Sequence, residues 1–326
     1  MVSSKRRTQL NKVIQTLQKA SLILVFFIFP LHISRPCVYN IRTSMKVLAT
    51  DLDGTLFYPR SKTRCISKKN IKFLRKWIDA GNKLVLVTSR SAEFCKRLED
   101  EIQRPFDLIS CTGAQIRADG KLIRNVTIPN DVMEGVINKV NRTARPIAIL
   151  MTTDKYPCAI RDSHRRSTRF LMHFYKIYWH LQFKYREPYH FSNKDFNLEV
   201  KDGQIYKAMI FFGFGKRKNN FAKEMNKAFR EQYPDVEFSW SLIVNEVTPK
   251  DCTKGQSIAY YCDHLGIDHN DVYVIGDSGN DITMFNTFKN NSFCMKHASK
   301  IIRKYATHTV GRVYQLEKYL LPKEEK

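Results

Sequence analysis

The sequence predicts an α/β fold: a parallel sheet with crossover helices, interrupted by a second α/β unit. Three observations predict it. From Met45 onward, short apolar runs alternate with amphipathic helical stretches. The same rhythm returns near the C-terminus, and the stretch between follows a different pattern. Strand and helix alternating at this spacing mark parallel strands joined by crossovers. No internal repeat of fixed period is visible.

The elements follow in order. Residues 46–50 form a short apolar run ending in Asp51-Leu52-Asp53-Gly54-Thr55, a strand followed by a tight loop in which Gly54 permits an unusual backbone turn. Residues 67–80 place Ile71, Leu74, Trp77 and Ile78 at helical spacing, with Ser67 as N-cap and Gly81 just past the end. Residues 84–87 (LVLV) read as a buried strand opening into Thr88-Ser89-Arg90. Residues 91–103 read as a helix, and 108–109 as a strand before Thr112-Gly113. Near the C-terminus, 254–265 is a helix ended by Gly266. Residues 272–275 (VYVI) are a strand opening into Gly276-Asp277-Ser278-Gly279-Asn280-Asp281, and 282–288 start a helix. Later strands fall at 291–295 and 307–310.

Between these halves, strands are expected at 121–128 and 205–212 and helices near 131–141 and 219–232. The domain reading is therefore a first domain of 45–114 plus 246–326, with 115–245 inserted.

The composition fits this size. The chain has 326 residues and 38.2 kDa, 43% apolar and 26% charged, so a sizeable core is possible and fibrous, low-complexity or wholly disordered classes are excluded. The net charge of +24 points to anionic partners: nucleic acid, a membrane surface or phosphorylated substrates. Residues 1–44 carry seven basic residues and no acidic one, and 115–245 carry 23 basic against 13 acidic. Eight cysteines, none in CxxC spacing, read as scattered reduced thiols of a cytoplasmic protein rather than a zinc site or a disulfide framework.

Residues 1–44 admit three readings. The apolar run at 20–31 is too short for a spanning helix, which needs about 20 residues. It suits a signal-peptide core, although no clear cleavage site follows. Met45 stands directly before the first strand, so 1–44 also reads as an upstream extension or tail with a misassigned start. An uncleaved membrane anchor is the third possibility.

The chemistry gathers at strand ends, where open parallel sheets bind ligands. Asp51, Asp53, Asp277 and Asp281 converge if their strands are neighbours. Four carboxylates repel one another unless a hard cation sits among them, and Mg²⁺ takes oxygen ligands while keeping waters for a phosphate to displace. Lys254 adds a positive charge for a nucleophilic carboxylate and a phosphate.

On these residues, 45–326 resembles the haloacid dehalogenase (HAD) phosphohydrolase superfamily, in its Cof-type branch. DLDGT matches the first motif, the strand ending in Thr88 the second, Lys254 the third and GDSGND the fourth. The resemblance implies a Rossmann-like core with a large α/β cap and a Mg²⁺-dependent phosphatase working through an aspartyl-phosphate. It implies Asp51 as nucleophile, Asp53 as general acid and base, and Thr88, the Ser89 amide, Gly54 and Lys254 around the phosphoryl group. Mg²⁺ falls to Asp51, the Asp53 backbone carbonyl and Asp277, with Asp281 as ligand or behind one. Asn280 orients the loop. The sequence departs from the branch at Thr112-Gly113-Ala114, where Asn-Gly-Ala is usual. Lys250 lies near Lys254 and reads as a surface residue.

The expected substrate is a small phosphorylated metabolite, a sugar phosphate first, with flavin or pyridoxal phosphate as further options. The alternatives are a phosphotransferase or mutase of the same superfamily and a basic binding protein with a vestigial site. No nucleic-acid partner is expected, and a membrane only if 1–44 is retained as an anchor.

Other features read as structural. The basic and aromatic stretch 161–186 places Phe170, Phe174, Tyr178 and Leu181 on one helix face. His173 and His180 lack a completing ligand set. Gly213-Phe-Gly215 is a turn, and 216–218 a solvated basic loop.

Overall fold

The computed structural model describes residues 45–321, apart from 62, 144–145, 163–172, 175–176, 178–179, 182, 214 and 242–243. The apolar run at 20–31, Phe170 and Tyr178 lie outside the described residues.

Eight strands form the larger sheet: β1 (Val47–Asp51), β2 (Lys83–Val87), β3 (Asp107–Ser110), β4 (Gln115–Ala118), β5 (Lys121–Asn125), β12 (Val272–Gly276), β13 (Ser292–Met295) and β14 (His308–Val310). Their order is β14-β13-β12-β1-β2-β3-β4-β5. The six strands from β14 to β3 are parallel, and β4 and β5 add an antiparallel edge. Alternate residues of β1 serve opposite faces, as strand geometry requires. Leu48 packs with Leu84, Leu86, Phe73, Leu74 and Trp77. Val47 and Ala49 pack with Val85, Val87, Ile258, Tyr261 and Phe285. Helix Lys68–Asp79 thus covers one face and helix Lys254–Leu265 the other.

The helix ends agree with the sequence. The Ser67 hydroxyl accepts from the Asn70 amide, and Gly81 and Gly266 take left-handed conformations at φ +84° and +66°. The helix expected over 91–103 is broken into Ala92–Cys95 and Arg97–Ile102.

The smaller sheet contains β6 (Ala148–Thr153), β7 (Ala159–Asp162), β8 (His190–Phe191), β9 (Ile205–Phe211), β10 (Val236–Ser241) and β11 (Val244–Pro249), in the order β10-β11-β9-β6-β7-β8. Helices Asn130–Thr143, Asn193–Asp202 and Lys216–Gln232 cover one face, burying Val136, Phe196, Phe229, Ile149 and Ile210 together. The opposite face carries Leu150 and Ile160, and Lys207 and Glu246 also leave the sheet on that side.

Several expectations change. Strand 121–128 belongs to the larger sheet, as β5 of a hairpin with β4, and β10 and β11 belong to the smaller one. The sheets therefore do not divide at residues 115 and 245. The hairpin turns at Asp119-Gly120, both at positive φ, a pairing that closes tight hairpins. Residues 216–218 open a helix rather than a loop. Phe174 and Leu181 are exposed (52% and 61%), so the apolar face expected there is not buried at these positions.

Candidate active site

Strand register assembles the site. Thr50 of β1 pairs with Leu86 of β2 on one side and Ile275 of β12 on the other. The loops after these three strands therefore leave the sheet at one edge. They carry Asp51 and Asp53, Thr88 to Arg90, and Asp277 to Asp281.

The first loop turns at Gly54, with φ +81°, and a Cβ there would collide with the Asp277 carboxylate. Only glycine lets the two loops approach this closely. Beside it the Thr55 hydroxyl donates to Asp277 Oδ1 at 3.0 Å. Lys254 begins its helix behind the Thr253 N-cap. A Cβ on Gly255 would press against the Thr283 carbonyl oxygen at 2.5 Å, so glycine is what lets the helix seat this deeply.

Lys254 is 1% exposed, and its ammonium donates to Asp51 Oδ1 and to Asp281 Oδ1, each at 2.6 Å. Asp281 Oδ2 accepts from the Asp277 and Ser278 amides. Both oxygens of Asp281 are thus engaged. Asp51 Oδ2 is different: it is buried and has no hydrogen-bond partner among the described residues. One oxygen each from Asp51, Asp277 and Asp281 lie within 4.8 Å of one another.

Three carboxylates facing one ammonium leave an excess of negative charge. Burial pushes Asp51 up to about 8, against the opposing pull of Lys254 and with repulsion from Asp281 and Asp277. Burial also raises Asp277. Burial alone would lower Lys254, but the Asp281 and Asp51 carboxylates outweigh it and hold it above the ordinary lysine value. Lys254 stays charged, and the surplus falls on Asp51. A hard cation fits this donor set: it would meet the orphaned Asp51 oxygen and remove the repulsion.

Asp53 sits in a contrasting environment. The Arg90 guanidinium grips both of its oxygens, Nε to Oδ2 at 2.5 Å and Nη2 to Oδ1 at 2.8 Å. Arg60 stands 3.5 Å from Oδ1. Burial opposes ionisation, yet the Arg90 hydrogen bonds and charge, with help from Arg60, hold Asp53 below the usual carboxylate value.

Thr88 is 1% exposed, and its hydroxyl accepts from the Arg90 amide at 3.1 Å, which leaves the hydroxyl proton to donate. The Ser89 carbonyl accepts from Lys207 at 2.7 Å. Lys207 lies 3.5 Å from Glu246, which accepts from the Thr112 hydroxyl at 3.0 Å. Asn280 Oδ1 accepts from the Ser278 hydroxyl at 2.7 Å, tying the fourth loop together. Lys250 is exposed, and so are His173 and His180.

Asp51, Asp277, Asp281 and Lys254 therefore meet directly, with Asp53, Thr88 and Ser89 on the adjoining loops. Reasoning from sequence passed over Arg90, Arg60, Lys207 and Glu246. Arg90 stands two residues after Thr88 in the same strand-end loop, a signal that was available. Lys207 and Glu246 lie on strands of the other sheet and carry no local signal.

A family model described as haloacid dehalogenase-like hydrolase matches residues 48–315. The 5-amino-6-(5-phospho-D-ribitylamino)uracil phosphatase YwtE of Bacillus subtilis is 26% identical over 262 residues, covering 74% of this chain and 84% of that protein. Among solved structures, a haloacid dehalogenase-like hydrolase from B. subtilis superimposes with a TM-score of 0.68 at 20% identity, covering 85% of this chain and 100% of the other. A structure described as a HAD subclass IIB sugar phosphatase gives a TM-score of 0.63 at 18% identity, covering 84% and 98%.

Proposed function

This chain belongs to the haloacid dehalogenase-like hydrolases, and on that premise we propose that it is a Mg²⁺-dependent phosphatase of small phosphorylated metabolites. The observation that carries the reading is Asp51: one oxygen is held by a buried ammonium and the other is buried without a partner.

In the proposed reaction Asp51 attacks phosphorus in line with the leaving oxygen and forms an aspartyl-phosphate. Asp53, held ionised by its arginines in the free protein, takes up a proton from solvent as the ester binds, and the leaving alkoxide takes that proton as its bond to phosphorus breaks. Water then attacks the same phosphorus, Asp53 takes the water proton, and Asp51 is released with inorganic phosphate. Thr88, the Ser89 amide and the Gly54 turn border the phosphoryl group, and Lys254 balances its charge. Asn280 steadies the loop that carries Asp277. Mg²⁺ would be held by Asp51, the Asp53 backbone carbonyl and Asp277, and when bound it supplies charge neutralisation at the phosphoryl oxygens. Asp281 has no free oxygen for it, so its proposed role is to fix Lys254 and the loop.

The larger sheet with its helices serves as the catalytic core and the smaller as a cap that reads the leaving group, with 1–44 outside the working fold. A cytoplasmic setting suits the seven described cysteines, all buried free thiols. The phosphorylated polyol named for the B. subtilis relative lies within the proposed class, so sugar, polyol, flavin and pyridoxal phosphates form the first panel.

The test is inorganic phosphate release from that panel with Mg²⁺ and with EDTA. Asp51→Asn is expected to lower turnover by at least about a thousandfold while the circular dichroism spectrum stays unchanged. Undiminished turnover would remove Asp51 as nucleophile. Transfer to a second sugar without phosphate release would make the enzyme a phosphotransferase.

A further inference from the structure

We propose that Arg90 and the cap segment 184–187 form one positioning device for Asp53, through which the cap sets where the proton donor stands. The proposal rests on the reading of Asp53 as general acid.

Arg90 uses every face of its guanidinium. Two nitrogens grip Asp53, while the third, Nη1, donates to the Tyr185 carbonyl at 2.8 Å. The group also lies over the Phe94 ring at 4.0 Å. A planar fork held by a ring on its face and a carbonyl at its far edge has its orientation fixed before Asp53 is considered.

The carbonyl that orients it belongs to a segment between β7 and β8 that is anchored well away from its own sheet. Tyr185 is 6% exposed within the core of the larger sheet, 5.4 Å from the Phe57 ring. Its hydroxyl accepts from the Ser61 amide at 3.0 Å and donates to the Arg64 carbonyl at 3.1 Å. Arg97 donates to the carbonyls of Lys184 and Arg186 at 2.9 and 3.1 Å. Glu187 accepts from the Ser91 amide at 2.8 Å. Arg60, the second cation beside Asp53, lies over the Tyr185 ring at 5.0 Å. Both arginines that face Asp53 therefore lean on one tyrosine, one on its carbonyl and one on its ring.

Simple anchoring of a segment needs no contact with the groups around a proton donor. Here the anchor ends on them. Displacing 184–187 removes the outer support of both cations at once, and Asp53 loses its fixed direction.

A misdirected general acid shows in the dependence on the leaving group. An alkoxide needs a proton to depart, whereas p-nitrophenolate leaves without one. In a single turnover, where only phosphoryl transfer to Asp51 is read, Arg90→Met and Tyr185→Ala are expected to slow transfer from a hexose phosphate about ten- to a hundredfold and from p-nitrophenyl phosphate less than about threefold. Tyr185→Phe keeps the ring and carbonyl but loses the Ser61 and Arg64 bonds, so its split should be weaker than that of Tyr185→Ala. Arg97→Gln loosens the segment from the surface without opening the core and should give a weaker split in the same direction, so the proposal stays testable if Tyr185→Ala fails to fold. Asp53→Asn separates the two ideas. Equal losses on both substrates in the single-turnover rate of that variant would discard the acid role itself. A split there, with equal losses or none in the Arg90 and Arg97 variants, would overturn the positioning device alone.

Discussion

Asp51 shows how far burial among like charges changes a single group. Its carboxyl moves from an ordinary 3.8 to about 8. A carboxyl raised on folding contributes stability that is fully present below the unfolded value and is lost as pH climbs to the folded one. For Asp51 that window runs from about pH 4 to about pH 8 in the metal-free protein. Mg²⁺ and the proton compete for the same oxygen, so the cation should stabilise more where the proton is leaving. Saturating Mg²⁺ is expected to raise the thermal midpoint more at about pH 8.5 than at about pH 5.5, read by thermal denaturation at both. Equal shifts would mean the cation does not bind at Asp51. The carboxylates and Lys254 were legible in the sequence because each stands at a strand end or a helix start that its neighbours announce. Arg90's bond to Asp53 was not, because 37 positions separate the two and folding alone joins them.

The turn Cys111–Gly113 stores strain at the level of an element. Cys111, Thr112 and Gly113 all take positive φ, at 50°, 60° and 109°. A β-branched residue rarely adopts this conformation, whereas asparagine tolerates it. The turn is held by the Cys111 amide on the Arg90 carbonyl, the Thr112 amide on the Thr88 carbonyl, and the Thr112 hydroxyl on Glu246. Thr112→Asn relieves the backbone and still reaches Glu246. We expect it to stabilise the protein by about 1 kcal/mol, measured by urea denaturation. A loss of stability would show that the threonine methyl packs better than the backbone suffers. Elements with strong ends were readable: helix Lys68–Asp79 lies between the Ser67 cap and Gly81, as its sequence predicts. The β4–β5 hairpin carries no sequence signal for its sheet, because β5 lies at an edge and buries almost nothing, so no apolar alternation marks its partner.

At the scale of the molecule, residues Ser44–Lys326 form one compact unit, and β1 is paired on both sides and buried from Val47. A chain beginning at Met45 is expected to fold with a midpoint within about 2 °C of the full chain and kcat/KM within about twofold, since β1 is already paired on both sides without the preceding residues. Calorimetry and phosphate release on the two proteins check this, and a collapse of either would give 1–44 a part in the fold. The basic balance of +24 is a property of the whole chain and did not locate the site, which is a local knot of carboxylates. That the larger sheet is parallel was readable, because alternation dictates crossovers; its strand order was not. The smaller sheet was not, since its short antiparallel strands are set by pairing across distant segments.

The in-register pairing of β2, β1 and β12 reaches beyond catalysis. Main-chain hydrogen bonds place the three loops, and a change of side chain cannot delete a main-chain bond unless it introduces proline. The aim of Asp51 is thereby insulated from most mutations elsewhere. Side chains elsewhere on such a scaffold can change while its reacting groups stay aligned. Change is least constrained in the smaller sheet, whose strands do not share the register that aims Asp51.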